Sequence, residues 1–133
     1  KRENNLDYTT NTLIEAFPDG QDVEVIKWSA LKKSWIETTL NSDREHVTPY
    51  VRKNSSFFGK VLFTSKNFES SVNYNSVRMT VDESRDFDAV KTLITNLGID
   101  KSWKVYTGFI LNNLGLFYHA VLRVKHVKTV YRY

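Results

Sequence analysis

Apolar positions along this chain change their period several times, and each change marks an expected element. Residues 12–17, "TLIEAF", and 22–27, "DVEVIK", read as short extended segments around the turn "PDG". In the second, Val23 and Val25 share one face and acids the other. Helical spacing follows in "WSALKKSWIETTL", where Trp28, Leu31, Trp35, Ile36 and Leu40 form an apolar face and Ser29 is the expected N-cap. The runs "GKVLFTS" (59–65) and "VRMTV" (77–81) have strand character and are bounded by turn-prone residues. "DESRDFDAVKTLITNLG" is the clearest helix, with Phe87, Val90, Ile94 and Leu97 in step, acids in its first turn and Gly98 at its end. Ser102 is the expected cap of another helix over Trp103 to Asn112. In the final stretch Val121, Val124, Val127 and Val130 recur every three residues, which fits neither a strand nor an amphipathic helix well; the expectation there is helix. Alternating strands and helices point to an α/β arrangement.

One segment resists this reading. "SDREHVTPYVR" (42–52) carries two acids, two arginines, a histidine, a tyrosine and a proline. Ser42 and Glu45 have the spacing of a capping box, so a helix is expected to start at Asp43 and to be kinked or shortened by Pro49. On a continuous helix His46 and Tyr50 would project from the same face.

Composition narrows the class. The 133 residues fit one domain, and 41% hydrophobic residues suffice for a core. Eight Phe, seven Tyr and three Trp are a high aromatic content, which usually fills a core and can leave some rings at the surface for a partner or ligand. The absence of cysteine removes disulfides and thiolate metal sites. The opening residues, "KRENNLDYTTN", lack the apolar run of a secretory signal, and no stretch reaches the ~20 apolar residues of a membrane span, so a soluble, cytoplasmic protein is expected. A net charge of +4 suits phosphate-bearing ligands without naming one. Arg123, Lys125, Lys128 and Arg132 concentrate part of it near the end, where a solvated tail and a nucleic-acid contact are both open readings.

Two constellations could carry chemistry. Asp82 falls where an expected strand meets the clearest helix, the edge at which open α/β sheets bind ligands. A carboxylate there could hold Mg²⁺, but Asp is also a preferred N-cap with no catalytic role. Arg44, His46, Tyr50 and Arg52 could meet a carboxylate or phosphate, or simply face water on a capped helix. Other chemistries are poorly served. His46, His119 and His126 lack metal-ligand spacing, no G-x-S-x-G elbow occurs, and the five glycines are too far apart for a Rossmann or P-loop fingerprint.

Taken in order, "FPDGQDVEV" (17–25), "SDREHVTPYVR" (42–52) and "VRMTVDESRDFDAV" (77–90) resemble the spore-coat polysaccharide type of cytidylyltransferase, a relative of the enzymes that make CMP-KDO and CMP-sialic acid. The resemblance covers about residues 8–97. It implies a three-layer, Rossmann-like α/β nucleotidyltransferase fold, with residues 1–98 as the C-terminal half of that domain and 99–133 as a helical extension. It implies transfer of CMP from CTP to a sugar or sugar acid, with release of pyrophosphate, for surface polysaccharide. By the same resemblance Asp82 would bind Mg²⁺, and His46 and Tyr50 would touch the acceptor. Arg44 and Arg78 are expected beside them on charge alone. A homodimer is implied, with contacts from the region up to and including "REHVTPY". These residues contain no counterpart of the family's glycine-containing triphosphate loop or its mid-chain metal aspartate, so the chain alone is expected to be inactive. The competing readings are a non-catalytic oligomerisation module and a nucleic-acid-binding module that uses the basic tail.

Overall fold

The central strand lies in a stretch whose polarity concealed it. In the computed structural model, which describes residues 5–118, β1 is Tyr8–Thr10. Tyr8 and Thr10 are buried, and the Tyr8 hydroxyl donates to the Glu24 carboxylate. β1 pairs antiparallel with β2 (Glu24–Ile26), Tyr8 opposite Ile26, and parallel with β3 (Ser65–Asn67), Tyr8 opposite Ser65. The sheet order is β2-β1-β3. Among the described residues these strands accompany five α-helices, and the class is the mixed α/β expected.

The described residues fall into two compact units, residues 5–14 with 23–69 and residues 15–22 with 70–118. In the first, Tyr8, Leu13, Ala30, Val51 and Phe63 form the core. The expected strand at 12–17 is a turn instead. Arg52 donates to the Thr12 carbonyl and hydroxyl at 2.9 and 3.1 Å, and the Asn67 side chain accepts from the Ile14 N–H at 3.0 Å. Side chains thus meet backbone groups that a ladder would otherwise have to satisfy. The run 59–65 is likewise mostly irregular: Phe63 makes a single bridge to Ser55, and β3 begins only at Ser65.

Helix α1 (Trp28–Glu37) is where expected, but its orientation is not. Its N-cap is Lys27 rather than Ser29, and its buried residues are Ala30 and Ser34, while Trp28, Trp35 and Ile36 are exposed. Small residues four apart let the helix lie close to its neighbour, and the larger apolar residues are left outside.

Helix α2 (Asn41–Glu45) starts before Asp43 and has Leu40, not Ser42, at its N-cap. It stops at His46, where Val47 takes a left-handed φ of 70°. Pro49 then opens a separate helix, α3 (Pro49–Lys53), at a position where its missing N–H costs nothing. The proline neither kinks nor shortens one helix; it starts another. His46 and Tyr50 therefore do not share a helical face.

In the second unit Val77, Leu93, Ile110 and Phe117 form the core. The expected strand at 77–81 is reduced to one parallel bridge between Arg78 and Asp19. The Met79 N–H donates to the Asp19 carbonyl at 2.8 Å, and Asp19 returns a bond to Val77 at 2.9 Å. Gly20 follows at φ 96°, where a Cβ would stand 3.1 Å from the Met79 backbone, so the turn and the extended chain can meet only through glycine. Helix α4 (Ser84–Leu97) is capped by Glu83 rather than Asp82, in a capping box with Asp86. Leu93 is buried, whereas Phe87 and Ile94 are exposed. Helix α5 (Trp103–Asn112) follows Ser102 as expected, although the Ser102 side chain makes no capping bond. The valine repeat and the basic tail lie outside the described residues.

Candidate functional site

The segment between α1 and α3 builds around a buried acid. Asp43 accepts from the Thr38 hydroxyl at 2.8 Å and pairs with Lys53 at 2.6 Å. Burial alone would raise its carboxyl, but the Lys53 and Thr38 hydrogen bonds outweigh that and hold it below the ordinary carboxylate value. This charge is structural, and it ties α2 to α3. Tyr50 packs edge-on against Phe63, and its hydroxyl reaches Glu37 at 3.2 Å. Burial, then the neighbouring Glu37, raises the phenol above its ordinary value, so Tyr50 is a neutral donor at neutral pH.

These residues wall a cavity of about 300 Å³, lined by Trp28, Leu31, Trp35, Arg44, Val47 and Tyr50 among others. The Arg44 guanidinium lies over the Trp35 ring, 5.1 Å from its centroid, and donates to the Thr38 carbonyl at 3.2 Å. Arg44 and Tyr50, singled out from the sequence, thus share one pocket. His46 is exposed and does not line it. The two indoles were missed as pocket walls because helical spacing marked them as core.

The second unit brings Arg78 and Asp82 together. Arg78 places Nη1 2.8 Å from Asp19 and Nη2 on Asp82, with Asp86 at 3.5 Å. Asp86 is buried, and its Oδ2 accepts the backbone N–H groups of Asp82 and Glu83, each at 3.0 Å. Burial would raise the Asp86 carboxyl; those two N–H bonds and Arg78 together lower it instead. The Arg78 guanidinium, which burial alone would make less basic, is held protonated by Asp86, Asp19 and Asp82. Asp19 and Asp86 were missed in the sequence because "PDG" reads as a turn and a first-turn acid reads as a cap.

Asp82 itself is 67% exposed and is not needed as the helix cap. Among the described residues no three His, Cys, Asp or Glu side chains gather as a metal cage. Asp82 is a single accessible carboxylate, and its Oδ2 is already paired with Arg78.

No family model matches the chain. An uncharacterised protein of Methanocaldococcus jannaschii is 33% identical over 87 residues, which are 64% of this chain and 32% of that protein. The solved structure of a cytidylyltransferase from Leptospira borgpetersenii serovar Hardjo-bovis matches 86% of this chain at a TM-score of 0.73 and 24% identity. The fold is that of a cytidylyltransferase. This chain spans 47% of that solved cytidylyltransferase and about a third of the archaeal relative, at 32%. Among the described residues no helix is long and apolar enough to cross a membrane.

Proposed function

We propose that this chain contributes to a cytidylyltransferase that moves CMP from CTP to a sugar or sugar acid and releases pyrophosphate, for surface polysaccharide. The likeness of fold over 86% of the chain is the observation that carries this reading. In the reaction an acceptor hydroxyl oxygen bonds to the α-phosphorus as the bond from that phosphorus to pyrophosphate breaks, and the hydroxyl proton passes to solvent. Most of the barrier is electrostatic, because an oxygen nucleophile must approach a polyanion. Mg²⁺ held by Asp82 would supply positive charge for the phosphate oxygens.

The chain's own residues divide the remaining work. The cavity beside Trp28 and Trp35 suits the apolar face of a sugar ring, with Arg44 as a cation for an acidic substituent and the Tyr50 hydroxyl as a donor. His46 is assigned to the acceptor by its place in the H-x-x-x-Y motif, from the turn that closes α2. Arg78 has both Nη groups on carboxylates and is not assigned to the acceptor. A homodimer is assigned to the region up to and including "REHVTPY", where Ile36 of α1 is exposed and lies outside the cavity lining.

Site-directed variants test the assignment in the protein that carries this chain. Asp82→Asn is expected to keep the fold, since Glu83 caps α4, and to lose Mg²⁺-dependent pyrophosphate release by about 100-fold or more, as loss of a charge-stabilising group does. His46→Ala and Tyr50→Phe are expected to raise the acceptor KM with CTP affinity unchanged. Pyrophosphate release at the parent rate in Asp82→Asn rejects the metal role; an equal loss of CTP binding moves His46 and Tyr50 to the nucleotide side.

A further inference from the structure

Apart from the indole N–H groups, the cavity beside α1 offers almost no free neutral hydrogen-bonding group. Ser34 is buried, and its hydroxyl donates to the Leu31 carbonyl at 2.7 Å. The Thr38 hydroxyl donates to Asp43 at 2.8 Å, and the Asp43 carboxylate is also taken by Lys53. Tyr50 is engaged more weakly: its hydroxyl lies 3.2 Å from Glu37, long for a bond between oxygens, so it is the one hydroxyl that can turn to a ligand. Much of the remaining wall is apolar, the rings of Trp28 and Trp35 with Leu31 and Val47. Two cations complete it. Arg44 donates to a backbone carbonyl and lies over Trp35, and Lys32 lines the same space. Neither cation meets an acid among the described residues.

A hydroxyl that leaves water without finding a new partner weakens binding, so a hydroxyl-rich ring needs a donor or acceptor opposite each of its buried groups. This wall would leave most of them unpaired. It suits an apolar body that carries one anion. Indole faces and branched chains take the body, and the guanidinium, already laid against an indole, pairs the anion through its remaining N–H groups. From this arrangement we infer that the cavity selects an acceptor whose buried part is a deoxygenated or acylated carbon frame with one anionic substituent, and rejects hydroxyl-rich sugar acids of similar size. Lys32 is a further specificity-determining residue, a second positive charge that favours the anion over a neutral counterpart. The inference rests on the acceptor role proposed for this cavity and narrows the chemical class of the acceptor.

Three six-membered rings test this on the 133-residue chain by ligand-detected NMR titration. They are cyclohexanecarboxylate, its neutral amide, and glucuronate, which has the same charge but is covered in hydroxyls. Cyclohexanecarboxylate is expected to bind about tenfold more tightly than either, the scale of one unmade hydrogen bond or one lost charge contact. Arg44→Gln should erase most of its advantage over the amide, and Lys32→Gln should reduce that advantage several-fold. Trp28→Ala, at a position 74% exposed, should weaken both cyclohexane probes alike. Glucuronate binding as tightly as cyclohexanecarboxylate, or more tightly, overturns the inference and leaves the acceptor role standing. A preference for the anion that survives both cation variants overturns it as well, as does failure of every probe to bind. If Arg44→Gln does not fold by circular dichroism, Lys32→Gln decides alone, because Lys32 is exposed, and unchanged selectivity rejects the inference. The expected selectivity without competition against the acceptor in pyrophosphate release, measured in the protein that carries this chain, keeps the ligand class and rejects the acceptor role.

Discussion

At Val47 a β-branched residue occupies the left-handed region, φ 70°, between α2 and α3. That conformation costs a side chain such as valine of order 1–2 kcal/mol. Valine is not a left-handed residue by habit, so nothing in "HVTP" foretold the turn; Pro49 was expected to kink or shorten one helix, not to open a second. The break is what separates His46 from Tyr50 and turns Val47 toward the cavity wall. Val47→Gly is expected to raise stability by roughly 0.5 kcal/mol, the relief of strain being partly offset by the extra freedom of glycine when unfolded. A shift of the urea midpoint at unchanged slope measures this, and a loss of stability would show that Val47 is not left-handed in solution. Asp43 was equally illegible, because in a run of charges it looks solvated. Its carboxyl is lowered in the fold relative to an unfolded value near 3.8. The sign follows: its contribution is complete above the unfolded value and disappears as pH falls through the lower folded one. Asp43→Asn should therefore lie well below the parent in stability at pH 7 and approach it below about pH 4, where the unfolded carboxylate begins to take its proton. Chemical denaturation at pH 7, 4 and 3 checks the convergence; a constant gap would mean that the Lys53 pair is not what Asp43 contributes.

Among the elements, α1 shows what periodicity can and cannot say. Trp28, Leu31, Trp35 and Ile36 do form a stripe at helical spacing, but a stripe identifies a buried face only if the core lies on that side. Here Ala30 and Ser34 face inward, and Trp28 is 74% exposed. The helices at 84–97 and 103–112 were legible because first-turn acids, a terminal glycine and a capping position agreed with their spacing. The strands were not, since three-residue strands carry too few positions for alternation to register, and side chains such as Arg52 and Asn67 close turns that a pattern takes for strand. The two sides of α1 make opposite predictions. Ala30→Leu should destabilise by about 1–3 kcal/mol through overpacking. Ile36→Glu should leave the unfolding free energy within about 0.5 kcal/mol of the parent, as exposed sites do, while shifting the proposed dimer to monomer in light scattering. A dimer that persists in Ile36→Glu assigns the interface elsewhere.

For the whole molecule, the question is how much nucleotide chemistry these 133 residues can perform by themselves. A triphosphate is recognised chiefly by converging N–H groups, cations and metal ions, and glycine loops serve because they let backbone amides approach phosphate closely. The five glycines here are dispersed, at 20, 59, 98, 108 and 115. Gly20 is occupied in seating its turn against Met79, and Gly98 ends α4. The cation best placed near Asp82 is Arg78, already engaged by three acids. Positioning and charge stabilisation are the main contributions to such a transfer, so a protein without a phosphate cradle loses most of the effect rather than a fraction of it. The 133-residue chain is therefore expected to bind CTP with Mg²⁺ only at about millimolar concentration or worse, equivalent to ~4 kcal/mol or less. Calorimetry on the purified chain measures this. Micromolar binding would place the nucleotide site within these residues and overturn the expectation that they hold no triphosphate cradle. Indifference to CTP together with affinity for RNA or DNA that falls steeply with salt would instead favour the basic tail as the working surface.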